Sequence, residues 1–243
     1  MISKAEVKYI QSLYQKKFRQ QENLFIAEGP KIIEEALNNP VARIKKIFAT
    51  QDWIDVKDNQ SHQINVTAVS DADLKRISQL KTPNQVLALV EIPKNTMVLN
   101  KKVLSLVLDG IQDPGNMGTI IRIADWFGIT QIICSDDCAD VYNHKVVQAS
   151  MGSIFRAEIF YTDLSAWIPL QKESIIYGAM LEGIPLKSYG CISNGLLVIG
   201  NESKGIRAPI VPYLSQKITI ERFGQAESLN AAVATGIILS HIV

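Results

Sequence analysis

The feature that most constrains this chain is the alternation of apolar runs with helical periods in its second half. Val103–Asp109 (VLSLVLD) is almost continuously apolar, as expected of a strand covered on both faces. The stretch Thr119–Phe127 then places apolar residues at 120, 121, 123, 124 and 127, the spacing of a helix face. Gln131–Cys134, Ser174–Met180, Leu196–Gly200 and Lys217–Ile220 read as further strands, and His144–Phe155 and Ser228–Val243 as helices. Strands alternating with helices predict an α/β fold with a mostly parallel sheet. The last helix is apolar almost all round (Leu229, Val233, Ile237, Ile238, Leu239, Ile242). Such a helix should be buried on more than one face, between the sheet and a partner subunit.

The first half is less regular. Residues 3–20 read as one helix with a polar face, and residues 28–38 as a second, with Pro30 tolerated in its first turn. Ile44–Ala49, residues 64–69 and Val86–Ile92 read as strands, and Ser70 opens a helix. The polar, Pro-led stretch from Pro93 to Lys102 reads as a linker. Two domains follow, 1–97 and 98–243, as a length of 243 residues allows.

Composition excludes several classes. Hydrophobic residues make up 47% of the chain and charged residues 20%, enough apolar content for a real core. The net charge of +1 rules out a polycation. The basic residues Lys4, Lys8, Lys16, Lys17 and Arg19 nonetheless face a single acid, Glu6, within residues 1–20. That modest basic stretch is the electrostatic hint of an RNA or DNA partner. No run approaches the roughly 18 apolar residues of a membrane span, and the N-terminal stretch lacks an apolar signal core. A cytoplasmic protein with no membrane partner is expected. Cys134, Cys138 and Cys191 are an odd set, which argues against a disulfide framework. Cys134 and Cys138 have no second Cys/His pair to complete four ligands, because His62, His144 and His241 are scattered; no metal is expected. There is no Walker loop and no Ser-His-Asp spacing.

Ligands of open α/β sheets gather at the carboxyl ends of the strands, so three loops stand out. The first runs from Asp109 to Arg122, with a turn expected at Pro114-Gly115 and close backbone approach at Gly118. Arg122 is placed to reach back toward Asn116. The plainer reading is a Gly-rich turn in which Asn116 caps a helix and Arg122 pairs with an acid. Glycines at 110, 115 and 118 do not form a dinucleotide fingerprint. The second loop, Gly200–Gly205, carries Glu202, which could equally be a solvated turn acid. The third, Gly224–Asn230, offers Ser228 as an N-cap. Capping does not explain why the polar Asn230 opens so apolar a helix.

Together, and in this order, the loops resemble the SpoU/TrmH family of RNA ribose 2′-O-methyltransferases, within the SPOUT class. The N-x-G-x-x-x-R motif is matched by Asn116, Gly118 and Arg122, and G-x-E-x-x-G by Gly200, Glu202 and Gly205. The motif I-P-M-x-G-x-x-E-S-L-N is matched at Ile220, Gly224, Glu227, Ser228, Leu229 and Asn230, with Glu221-Arg222 replacing Pro-Met. The resemblance spans roughly residues 103–243. KKFRQQENLFIAEGPKIIEEAL is also similar to the opening of the family's N-terminal substrate-binding domain, a small ribosomal-protein-like α/β unit.

The resemblance implies a deep trefoil knot, a homodimer with the site near its interface, and S-adenosylmethionine as methyl donor without a metal. Cofactor contacts would come from Gly178, Ala179, Gly183, Gly200, Ile220, Ser228 and Leu229. Binding should survive the Glu221-Arg222 departure, because SPOUT loops hold the cofactor largely by backbone groups; a substrate contact could change. Arg122, Asn116, Glu202 and Asn230 would be the catalytic set. Arginine is always protonated, so Arg122 is expected to hold an RNA phosphate and the developing oxyanion rather than act as a base. Asn116 and Asn230 would orient the ribose or Arg122, and Glu202 would orient its loop or pair with Arg122. Lys16, Lys17 and Arg19 are the candidate RNA contacts. The two-domain layout leans toward ribosomal RNA over transfer RNA. The alternatives are a transfer-RNA enzyme, a catalytically silent RNA-binding module on this scaffold, and a nucleotide-dependent α/β enzyme using the 109–122 loop.

Overall fold

The computed structural model describes residues 2–57, 65–94 and 96–243. It divides into two compact units, Met1–Lys94 with Tyr142–Phe155, and Asn95–Val141 with Arg156–Val243. The expected division was 1–97 and 98–243. The segment 142–155 clusters with the first unit because its contacts lie there. Gln148 Nε2 donates to Glu28 O at 2.9 Å and Asn39 Nδ2 to Phe155 O at 2.9 Å. The Tyr142 ring packs 4.8 Å from that of Phe25.

In the first unit, helices α1 (Lys4–Ser12) and α2 (Lys16–Glu22) replace the single expected helix. A capping box of Ser3 and Glu6 opens α1. Buried Arg19 explains the break, since its Nη1 donates to Leu13 O (3.0 Å) and Tyr14 O (2.9 Å), two carbonyls just past α1. There follow β1 (Leu24–Glu28), α3 (Pro30–Asn38), β2 (Ile44–Ala49), α4 (Gln51–Lys57), β3 (Val66–Ala68), α5 (Asp71–Ile77) and β4 (Val86–Glu91). The expected strand at 64–69 lies partly outside the described residues. The sheet runs β1-β4-β2-β3, with both of β4's pairings antiparallel. Its buried apolar cluster includes Ile10, Leu13, Leu24, Phe48, Ile77 and Leu87.

The second unit contains β5 (Leu104–Asp109), α6 (Pro114–Trp126), β6 (Gln131–Ser135), β7 (Glu158–Thr162), α8 (Leu164–Trp167), β8 (Ile176–Pro185), β9 (Gly195–Gly200), β10 (Gln216–Thr219) and α9 (Ala231–Ile242); α7 (His144–Ser150) belongs to the first unit. The strand order is β10-β8-β9-β5-β6-β7, and every pairing is parallel. This is the expected α/β arrangement. All of β5 is buried, as its unbroken apolar run required.

Two helix starts differ from expectation, and both bear on the site. Helix α6 begins at Pro114 rather than Thr119, because Asp113 is its N-cap and accepts from Asn116 N at 2.8 Å. Pro114 loses nothing in the first turn, where its missing N–H has no intrahelical partner. Helix α9 begins at Ala231 rather than Ser228. Its N-cap is Asn230, whose Oδ1 accepts from Ala232 N (2.9 Å) and Val233 N (3.2 Å). Residues 220–230 therefore stay outside regular structure. One face of α9 is buried (Ala232, Thr235, Ile238, Leu239, Ile242), while Val233 and Ile237 remain exposed.

Candidate active site

The register of the sheet brings the three loops together. Asp109 at the end of β5 pairs with Gly200 at the end of β9, so the loops leaving these strands emerge side by side. Asn116 sits in the first turn of α6 and donates from Nδ2 to Glu202 Oε1 at 2.6 Å. Its Oδ1 accepts from Asn230 Nδ2 at 2.8 Å. One residue from each loop thus joins a single chain of hydrogen bonds, Asn230 to Asn116 to Glu202.

The direction of this chain is fixed at both ends. The Asn230 oxygen is committed to the helix N–H groups, so its amide nitrogen faces Asn116. The oxygen of Asn116 must then face Asn230, which leaves its NH₂ for a group that only accepts. An ionised carboxylate is such a group, and Glu202 supplies it.

Arg122 lies two turns further along α6, exposed, with no hydrogen-bond or ion-pair partner among the described residues. The expected pairing with Glu202 is not formed. The magnitudes favour this outcome. An exposed ion pair contributes about 0.2–1 kcal/mol, whereas a hydrogen bond to a charged group contributes about 1.5–3 kcal/mol. Half-buried Glu202 takes the amide, and the guanidinium stays available.

Beside this chain opens a cleft of about 940 Å³, within the range of small-molecule sites. Of the residues expected to hold a cofactor, Ala179, Gly200, Ile220, Ser228 and Leu229 line it, as does Glu202. Gly178 and Gly183 do not. They are packing glycines: a Cβ on Gly178 would meet Leu214 Cδ1 at 2.5 Å, and one on Gly183 would meet Lys217 O at 2.4 Å. The cleft follows from an irregularity in β8. Lys217 pairs with Gly178, but Ile218 pairs with Ile184, so residues 179–183 leave the ladder. Met180, Leu181 and Ile218 join the lining for this reason; as plain strand residues they carried no sequence signal.

The backbone is drawn in tightly at the mouth. A Cβ on Gly200 would lie 2.3 Å from Gly205 C, so the 200–205 loop can fold back on β9 only from a glycine. Apolar walls (Met180, Leu181, Ile218), polar lining residues such as Glu202 and Ser228, and this glycine cradle suit a ligand with an apolar body and a polar periphery. Sequence reasoning missed Asn201, whose Nδ2 donates to Gly110 O at 2.7 Å. Its position between Gly200 and Glu202 was the available signal.

Of the candidate RNA contacts, Lys16 and Lys17 are exposed on α2. Arg19 is a correction: it is buried and spent on the carbonyls of Leu13 and Tyr14, so its charge is not presented to a ligand. Among the described residues, no helix is long and apolar enough to cross a membrane.

Residues 103–240 match the family model described as the SpoU rRNA Methylase family, and residues 4–88 match that of the MRM3-like substrate binding domain. The chain belongs to the SpoU rRNA methylase family and is an enzyme of that family. Among particular relatives, it is 31% identical over 240 residues to the 23S rRNA (guanosine(2553)-2′-O)-methyltransferase RlmP of Bacillus subtilis, covering 98% of this chain and 95% of the relative. A TrmH-family protein from Porphyromonas gingivalis superposes with a TM-score of 0.88 at 33% identity, covering 99% of this chain and 97% of the other. An AdoMet-bound rRNA methyltransferase from Sinorhizobium meliloti superposes with a TM-score of 0.86 at 28% identity, over 98% and 94% of the two chains.

Proposed function

We propose that this enzyme transfers the methyl group of S-adenosylmethionine to a ribose 2′-hydroxyl of ribosomal RNA. The observation that carries the reading is the Asn230–Asn116–Glu202 chain at the edge of the cleft, with Arg122 unengaged on the same helix as Asn116. The cofactor supplies an electrophilic methyl on a sulfonium centre. Backbone groups around Ala179, Gly200, Ile220, Ser228 and Leu229 hold it, and Leu229 and Ile218 keep the cleft wall apolar. Arg122 grips an RNA phosphate with its planar fork and stabilises the negative charge that the ribose oxygen carries as its proton passes to solvent. Asn116 sets the local geometry, clamped between Asn230 and Glu202. Much of the rate then comes from positioning.

The finer readings belong here too. Residues 1–97 form the RNA-binding domain, ribosomal-protein-like in kind, and Lys16 and Lys17 contact phosphate. Replacing both by Gln should shallow the slope of log affinity against log salt by about 2, one unit per lost contact; an unchanged slope would remove them from the interface. The C-terminal segment is threaded as a trefoil knot, a reading supported by the return of the chain from edge strand β10 to pack α9 on α6. Trp126 on α6 and Val233 and Ile237 on α9 are exposed apolar side chains, which a second copy would cover. Light scattering should therefore give twice the 27.0 kDa chain mass. The cytoplasm is the compartment where such an RNA would be met.

Cofactor placement has its own test. Gly200→Ala forces the 200–205 loop off β9 and should weaken S-adenosylmethionine binding about tenfold or more by calorimetry. Unchanged affinity would mean that this loop does not seat the cofactor. For the acceptor, labelled S-adenosylmethionine offered with undermodified ribosomal RNA and transfer RNA should label the large-subunit ribosomal RNA. Label in transfer RNA alone would reassign the substrate, and cofactor binding without transfer to either would favour a silent RNA-binding module.

A further inference from the structure

Glu202 is delivered to Asn116 by a short loop without regular structure, and a separate device holds that loop in place. Asn201 and Gly205 close it by two backbone bonds, at 3.1 and 2.9 Å. Just beyond it, Arg207 N donates to Asp109 Oδ2 at 2.7 Å, and Arg207 Nε bonds the other oxygen of the same carboxylate. Arg207 Nη2 reaches Asp137 Oδ1 at 3.1 Å. That oxygen also accepts from Ser135 Oγ at 2.7 Å, while Ser135 Oγ accepts from Gly110 N at 2.9 Å.

One guanidinium therefore straps together the ends of β5, β6 and β9. The Asp109 side chain is fully buried (0% exposed), and a buried carboxylate left without its cation is strongly unfavourable, so the loop is held where Arg207 can reach it. Asp109 lies at the head of the segment that carries Asn116. Arg207 itself does not line the cleft.

We propose that Arg207 is a positioning residue for methyl transfer: its bonds to Asp109 and Asp137 set the distance between Glu202 and Asn116. The proposal rests on the methyl-transfer reading above.

The test combines Arg207→Met and Asp137→Asn with two readouts. The first is kcat, KM and melting temperature, measured alone and in combination with Glu202→Gln. The second is the rate of tryptic cleavage after Lys204, an exposed residue of the same loop. R207M should lower kcat about 100-fold, as small misplacements at a reacting centre do. Because R207M would act through the Glu202–Asn116 contact that E202Q also weakens, the double variant should be little worse than the poorer of the two single variants. Cleavage after Lys204 should accelerate about tenfold, in the loop-opening regime where cleavage tracks the open population. D137N, which takes the charge from the outer contact of Arg207 and from the oxygen that Ser135 Oγ also bonds, should fall between wild type and R207M in both readouts.

Wild-type kcat and wild-type cleavage in R207M would overturn the proposal. So would losses that multiply fully with E202Q, which would mark a merely structural residue. Should R207M fail to fold, D137N decides: wild-type values in both readouts overturn the proposal. Should the wild-type enzyme methylate no RNA, the function reading fails, and the Lys204 rates still decide whether Arg207 holds the loop.

Discussion

Arg122→Lys should lower methyl transfer by about 100- to 1000-fold, the scale seen when a single donor to a developing oxyanion is removed. Lysine keeps the charge but loses the planar fork that binds a phosphate through two bonds. Arg122 holds no part of the fold among the described residues, so the melting temperature should stay within about 2 °C of wild type, as for a surface substitution. S-adenosylmethionine affinity should also be unchanged, because Arg122 does not line the cleft. The loss should therefore appear in single-turnover rate and RNA affinity, not in cofactor binding. Near-wild-type turnover in the lysine variant would remove Arg122 from the mechanism.

The second large effect is expected from Asn116→Asp. The change is nearly isosteric and keeps an oxygen facing Asn230. It also puts a carboxylate where an amide now donates to Glu202 at 2.6 Å. Two carboxylates at that separation repel, and one of them must take up a proton or move away. Turnover should fall at least about 100-fold at neutral pH. Glu202→Gln in the same chain should restore part of it, because the glutamine amide can donate to the new carboxylate. Kinetics on the single and double variants checks this. An unaffected N116D, or a double variant worse than either single one, would mean that the relay does not govern the geometry of the site.

Strands β5 and β9 of the second unit were legible because a parallel strand covered on both faces must be apolar throughout, whereas the edge strand β7 (Glu158–Thr162), largely half-exposed, was not read from the sequence. The start of α6 was not. Pro-Gly-Asn reads locally as a turn, and only the Asp113 side chain, folded back onto Asn116 N, makes it a helix N-terminus. The helix at 144–150 was visible, but its membership of the first unit was not, since the partner of its Gln148 lies 120 positions away at Glu28. Arg19 shows the limit of charge counting: it looks like its neighbours Lys16 and Lys17 but is consumed by two carbonyls. In the site, motif order selected Asn116, Glu202 and Asn230. Their pairing depended on which amide face each helix end left over, and the cleft depended on a break in the β8–β10 register that an apolar run does not reveal.

The most direct test of the central claim is the chemical position of the transferred methyl. Undermodified ribosomal RNA would be incubated with labelled S-adenosylmethionine and the enzyme, then hydrolysed with alkali. A 2′-O-methyl blocks cleavage of the adjoining phosphodiester, so the account predicts label in an alkali-resistant dinucleotide. Label released entirely in alkali-sensitive mononucleotides would place the methyl on a base and contradict it.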